Sequence, residues 1–315
     1  MLDITTNPTS TITHSSEGVR FEHKDIKNVD VFESMAKFER VPSLADVDGL
    51  ISTLDNYKAI YNRATNQVVD MRPVPKTYNL VPHEKMFSAH ADQFIDHFGN
   101  QDITVIDQLF ENGKKAHRTI FFDGLKTDVL AGDMVQPRID IFNSIDMSWA
   151  FQVFSGAYRS LCRNTLVFGG QKAFHQKRKH TRNLEPTAIT NKANVSLDLF
   201  INQRDYMEQL TKQTVDPVKF LTFLERTLCD TSTEQHPERY NTTLQTYLFD
   251  IWKEQEEDLG NTAWNAYNVL THWSTHTMDS PRARKNHRVH DVQRQRADVV
   301  RDVLESEDWR VLIAS

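Results

Sequence analysis

The stretch from Ile103 to Arg159, ITVIDQLFENGKKAHRTIFFDGLKTDVLAGDMVQPRIDIFNSIDMSWAFQVFSGAYR, carries the most regular pattern in the chain. Within it, Ile103–Leu109, His117–Phe122, Asp133–Asn143 and Ser148–Arg159 are runs of β-branched and aromatic residues, the types that fit a pleated, half-buried surface. Turn signals separate them at Glu111-Asn112-Gly113, Asp123-Gly124, Ala131-Gly132-Asp133 and Asn143-Ser144. Connections this short join antiparallel neighbours, because parallel strands need a long crossover. A central antiparallel β-meander is therefore expected. Arg138, Asp140 and Asn143 alternate imperfectly with Ile139, Ile141 and Phe142, so one face should be wet and the other should need cover.

The cover is expected from the helical C-terminal half, which makes the fold class α+β. Asn194–Thr214 and Pro217–Cys229 read as amphipathic helices, the second with Asp216 as N-cap and Pro217 at the first helical position. Further helices are expected over Tyr240–Asp258, Asn261–Trp273 and Arg282–Ser306. Upstream of the meander, the spacing predicts a helix over Ser43–Ile51, a hairpin over Tyr57–Pro73 around Ala64-Thr65-Asn66-Gln67, and a helix over Pro82–Gly99. Residues 1–18 are Ser/Thr-rich without periodicity and read as a disordered arm. The resulting division is an arm over 1–18, a sheet domain with a basic segment over 19–190, and a helical region packed on the sheet over 191–315.

Composition agrees with a folded chain that makes its own core. Of 315 residues, 39% are hydrophobic and 25% charged, with only 10 Gly and 10 Pro, which excludes collagen-like and linker-like classes. No apolar run is long enough for a membrane span, and the start has neither a basic nor an apolar leader pattern. The two cysteines, Cys162 and Cys229, form no CxxC pattern, so no disulfide framework or cysteine zinc site is expected. A cytoplasmic protein without membrane contact is the expectation.

The net charge of −6 opposes any overall attraction to nucleic acid. Its distribution does not. Met147–Leu184 contains no Asp or Glu but holds Arg159, Arg163, Lys172, Lys177, Arg178, Lys179 and Arg182; with those seven cations set aside, the remainder carries −13. The plain reading is a solvated loop beside an uncharged strand. The sharper reading is an anion-binding stripe, because Tyr158, Phe168 and Phe174 are interleaved with the cations and single strands bind to cationic grooves floored by aromatic rings. Under that reading the seven cations hold phosphates, Tyr158 and Phe174 stack on bases, and Asn164 and Asn183 supply polar contacts.

Other chemistry lacks a sequence basis. There is no GxSxG, P-loop or dinucleotide-type glycine fingerprint, so neither an enzyme nor a cofactor is expected. Gly169-Gly170 reads as a simple turn. His272 and His276 are four apart in THWSTH, which would put both imidazoles on one helix face, but no third ligand is identifiable. They stand as weak metal candidates against a default of ordinary surface or helix-end histidines, and His287 and His290 as weaker ones. Cys162 lies among Arg159 and Arg163, an arrangement that lowers a thiol pKa if the groups converge, although a small buried strand residue is the ordinary alternative.

The block Ala157–Glu185 resembles the signature of the phage/plasmid-like protein family that carries domain of unknown function 932. The matching elements are Arg159-Ser160-Leu161-Cys162-Arg163-Asn164-Thr165-Leu166 and His180-Thr181-Arg182-Asn183, with Gly132-Asp133 upstream and Thr262-Ala263-Trp264-Asn265-Ala266-Tyr267-Asn268 downstream. The resemblance covers roughly residues 60–305. Phe142-Asn143-Ser144-Ile145-Asp146 departs from the glycine-rich turn more usual there. The resemblance implies a phage- or plasmid-borne gene. The order of meander then helix is also similar to single-strand annealing proteins, which is analogy at the level of fold. The functional expectation is a non-catalytic DNA-metabolism protein that binds single-stranded DNA as a homo-oligomer and takes part in recombination by strand annealing. The alternative is a structural or host-factor-interacting protein with no nucleic-acid role.

Overall fold

The computed structural model describes residues 11–15, 18–23, 38–47, 50–63, 66–68, 74–75, 77–88, 102–111, 113–159, 164–166, 175–181, 184, 203–236, 239–277 and 289–314. It is α+β, with antiparallel sheet first and helices in the C-terminal half. One compact unit comprises Met1–Leu125, Pro137–Ser155 and Lys172–Leu197; the other comprises Lys126–Gln136, Gly156–Gln171 and Asp198–Ser315.

In the first unit, β1 (Thr11–Ser15) pairs with β2 (Gly18–His23), which pairs with β7 (Ile103–Phe110), all antiparallel. Residues 11–15 and 18, expected to be a disordered arm, are thus strand. β7 pairs with β8 (Lys115–Phe122), and β8 with Arg138–Ser144 of β10 (Asp133–Ser144). The β7–β8 turn closes at Gly113, whose φ of 81° favours the residue without a Cβ. The first half of β11 (Phe151–Arg159) pairs with β13 (His175–Arg178). Val105, Leu109, Ala116, Ile120, Phe122, Ile139, Ile141, Phe151 and Val153 form one buried face, covered by Val81, Met86, Phe87 and Leu184. Met86 and Phe87 come from the helical residues 83–88 (α1); the rest of the helix expected to Gly99 lies outside the described residues.

A second sheet replaces the helix expected over Ser43–Ile51. β3 (Phe38–Val47) and β4 (Leu50–Asn62) pair antiparallel down to Val47 opposite Leu50. The dipeptide between them, Asp48-Gly49, is the sequence pattern of a two-residue hairpin, and it outweighs the helical spacing of the apolar residues. The hairpin expected further on is present: β5 (Gln67–Val68) pairs with Tyr61 and Asn62 of β4, while β6 (Val74–Pro75) pairs with Tyr57 and Lys58.

In the second unit, β9 (Thr127–Leu130) pairs with the start of β10, and β12 (Asn164–Leu166) with the end of β11. The helices are residues 203–212 (α2), α3 (Pro217–Arg226), α4 (Thr242–Leu259), α5 (Ala263–Thr275), α6 (Val289–Glu305) and α7 (Glu307–Ile313). Their starts follow from side chains that satisfy orphan backbone amides: Asp216 accepts from Val218 and Lys219, Asn241 from Leu244, Thr262 from Asn265 and Ser306 from Trp309. α5 is buried on nearly every side, as expected of a central helix. Its buried polar residues return hydrogen bonds to backbone, Asn265 Nδ2 donating to the carbonyls of Trp252 and Gly260 and Asn268 Nδ2 to that of Trp264. Those bonds offset a desolvation cost that would otherwise expel an amide from such a helix.

Candidate functional site

Among the described residues β13 pairs only with β11, and the described cations of the basic segment that are exposed are Lys177 and Arg178 in this strand and Lys179 just after it. Lys177 pairs with Gln152, and His175 with Phe154; directly opposed residues share a face, so Lys177 belongs to the face of Gln152 and Phe154. The strand's far end is fixed to the first unit by His180. Its ring stacks on Tyr78 at 5.2 Å, and its carbonyl accepts from the Asn79 amide at 3.0 Å. Burial lowers the His180 pKa, so the anchor carries no charge near neutrality. Tyr78 in turn donates to the carbonyl of Ser144 at 3.1 Å.

The sheet face that Lys177 joins carries connected rings. Phe110 meets Trp149 at 6.2 Å, Trp149 meets Phe142 at 5.7 Å, and Phe142 meets Phe154 at 5.5 Å, all edge to face. Lys115 sits over Trp149 and Arg138 over Phe121. Phe110, Phe121, Phe154 and Arg138 are half-buried. This face is therefore not simply wet, as the alternation of Arg138 and Asp140 predicted. Its polar residues satisfy one another: Arg138 makes a fork to Asp140 with two 2.7 Å bonds, Thr119 donates to the same carboxylate at 2.8 Å, and His117 Nε2 lies 2.7 Å from it. Burial pushes the Asp140 carboxyl up, but the Arg138 and His117 contacts overcome that and hold it well below the usual carboxylate range. Thr119, His117 and Asp140 do not make a nucleophile relay. Such a relay uses opposite ring nitrogens for hydroxyl and carboxylate, whereas here both Thr119 and Asp140 contact Nε2.

Arg159 has a different role from the one expected. Its guanidinium is 1% exposed and donates through Nε to Asp133 Oδ1 at 2.5 Å. Asp133 Oδ2 accepts from the Trp264 indole at 2.8 Å, and Trp264 stacks on Tyr267 at 5.3 Å. Three sequence blocks that carry the family resemblance, Gly132-Asp133, the segment starting at Arg159 and the one around Trp264, thus meet at one buried carboxylate in the second unit. Gly132, with φ of 83°, makes the turn that delivers Asp133. A guanidinium buried against an aspartate is out of reach of a phosphate.

Of the other expected contacts, Tyr158 is half-buried in β11 opposite Thr165. The Asn164 backbone pairs with Arg159 in β12, and its side chain lies outside the described residues. Arg163, Lys172, Phe174, Arg182 and Asn183 lie outside them too, as do Cys162, Phe168, Gly169-Gly170, His287 and the His290 side chain. His272 and His276 stand 4.2 Å apart at the end of α5, and among the described residues no three metal-type donors converge. The row Phe110, Trp149, Phe142 and Phe154 was missed from sequence; the signal was an aromatic just after the first run, one near the end of the third, and two, Trp149 and Phe154, within the fourth.

Sheet and site together define an α+β protein whose antiparallel strands carry a ring-lined face beside a cationic strand. The chain belongs to the family described as Domain of unknown function (DUF932), whose model matches residues 71–299. No curated protein and no solved structure gives a significant match.

Proposed function

We propose that the first unit binds single-stranded nucleic acid, and single-stranded DNA in particular, along β13 and the ring-lined face beside it. The observation that carries this reading is the run of three exposed cations, Lys177, Arg178 and Lys179, of which Lys177 lies opposite Gln152 on the sheet face that also carries Phe154. The cations neutralise phosphates, and the half-buried rings of Phe154, Phe110 and Phe121 offer bases a stacking surface. Base edges stay unread, which is what annealing of complementary strands requires. A role in phage or plasmid DNA recombination, performed by a homo-oligomer and without catalytic chemistry, fits that mode of binding.

The test is fluorescence anisotropy with an oligo(dT) probe over a range of salt. Affinity should fall with salt at a slope of roughly −0.7 per phosphate neutralised. The triple variant Lys177→Glu, Arg178→Glu, Lys179→Glu should weaken binding and flatten the slope by about 2, the share of three phosphates. Phe154→Ala should cost ~1–3 kcal/mol of binding with the slope kept. Absence of binding at low salt, or a slope indifferent to the triple variant, refutes the assignment.

A further inference from the structure

The second unit presents a groove of about 240 Å³ between α3 and α7. Its floor is Phe223 and Leu312, both buried. Each rim carries a projecting valine, Val218 from α3 at 69% exposure and Val311 from α7 at 61%. The rims differ in charge. α3 contributes Lys219 and Arg226, seven residues apart and so about 10 Å along one helix face. α7 contributes Asp308. All three are exposed, and among the described residues none of them is ion-paired.

A surface with an apolar floor, an apolar knob on each rim and opposite charges on its two rims is complementary to itself. A two-fold pair uses the same patch on both subunits, each residue on one rim meeting the other rim of its mate. We infer that the α3–α7 groove is a self-association surface for a second copy of this chain. In that pair Val311 of each copy enters the groove of the other, and Asp308 of each copy faces the second copy's Lys219 and Arg226. The charges set the register, and the valines and the groove floor supply the apolar burial. The inference stands on the second unit alone and does not depend on nucleic-acid binding.

The experiment is sedimentation equilibrium on the full chain, freed of nucleic acid. Wild type should dimerise. Asp308→Lys makes both rims positive, and Lys219→Glu with Arg226→Glu makes both negative; each should raise the dimer dissociation constant roughly tenfold to a hundredfold. Mixing the two variants in equal amounts should restore dimer, because each rim of one then faces an opposite rim of the other. The residues are on the surface, and an unchanged circular dichroism spectrum separates loss of association from loss of fold. Three results overturn the inference: a wild type that stays monomeric into the millimolar range, as a groove reserved for another protein's acidic segment predicts; a dimer indifferent to both variants; or variant monomers that do not pair on mixing. If either variant fails to fold, Val311→Ala at the rim replaces it, and an unaltered dissociation constant there is equally decisive.

Discussion

Lowering the pH from 7 to 5 should destabilise the first unit by about 2 kcal/mol through a single buried imidazole, His83. His83 is fully buried on α1. Its Nε2 is 2.8 Å from the Gly113 carbonyl, and its Nδ1 is 3.0 Å from Asn143 Nδ2, which also donates to the carbonyl of Val81. An amide N–H pointed at Nδ1 requires a lone pair there, so the ring is neutral with its proton on Nε2. Burial is the largest influence and brings the pKa from 6.5 to about 4, with the Gly113 bond opposing it. The unfolded chain therefore binds the proton first as pH falls. Stability is fully present above pH 6.5, declines as pH drops toward 4, and is flat with respect to this group below that. The entire shift is worth about 3 kcal/mol, of which about 2 are lost by pH 5. His180, lowered by burial in the same direction, adds to the same slope. Asp140, lowered instead below the carboxylate range, acts only at more acid pH.

The assay is urea unfolding of wild type and His83→Gln at pH 7 and pH 5. The variant is expected to be less stable at pH 7, because the fit to Gly113 and Asn143 is imperfect, and to lose less on acidification. The difference in acid sensitivity should be about 2 kcal/mol. Equal pH slopes for the two proteins would refute the account, as would an NMR titration of the His83 ring with a midpoint near 6.5 in the folded state.

Three further outcomes follow from the buried contacts. Asp133→Ala should cost about 3–5 kcal/mol, since it strands the Arg159 guanidinium in the interior; calorimetric unfolding checks this, and Asp133→Leu combined with Arg159→Met should recover much of the loss. Trp264→Phe removes only the indole donor to Asp133 and should cost about 1–3 kcal/mol in the same measurement. The Cys229 thiol, pushed up to about 11 by burial and by the neighbouring Glu225 carboxylate, should resist iodoacetamide at pH 8 in the native protein and react once unfolded, as read by peptide mass spectrometry.

Much of this architecture was legible before any coordinates. The four runs of the meander became β7, β8, β10 and β11 because local turn chemistry and strand composition agreed, and α3 begins at the Asp216-Pro217 pair that its capping chemistry demands. The errors have a shared origin in competition between local signals. Around Val47–Leu50 a hairpin dipeptide opposed a helical spacing, and the hairpin won through long cross-strand pairing that no local window contains. The site was less legible than the fold. Arg159 reads identically in sequence whether it faces solvent or an aspartate, and its partner lies 26 residues away on another strand. The ring row was hidden because Phe110 joins Phe142 and Trp149 only through the pairing of β7, β8 and β10, and because nothing local shows that Phe142, Trp149 and Phe154 share one sheet face.

That distinction makes the acid-free segment two things rather than one, and the two are separable by experiment. A buried guanidinium keeps its charge only by being paired, so Arg159 contributes to stability through Asp133 and, being buried, is out of reach of a phosphate. The exposed cations at Lys177, Arg178 and Lys179 bury little and pair with no described acid, so their removal should hardly touch folding, and under the proposed function it should act on binding of phosphates instead. Substituting Arg159 by Met should therefore lower the unfolding midpoint while the salt slope of oligonucleotide binding by the remaining folded protein is unchanged. The Lys177–Lys179 charge reversal should do the opposite. Finding the two effects coupled, with the slope changed by the Arg159 variant or the midpoint by the reversal, would show that the segment works as a single surface and that the assignment of its charges to separate tasks is wrong.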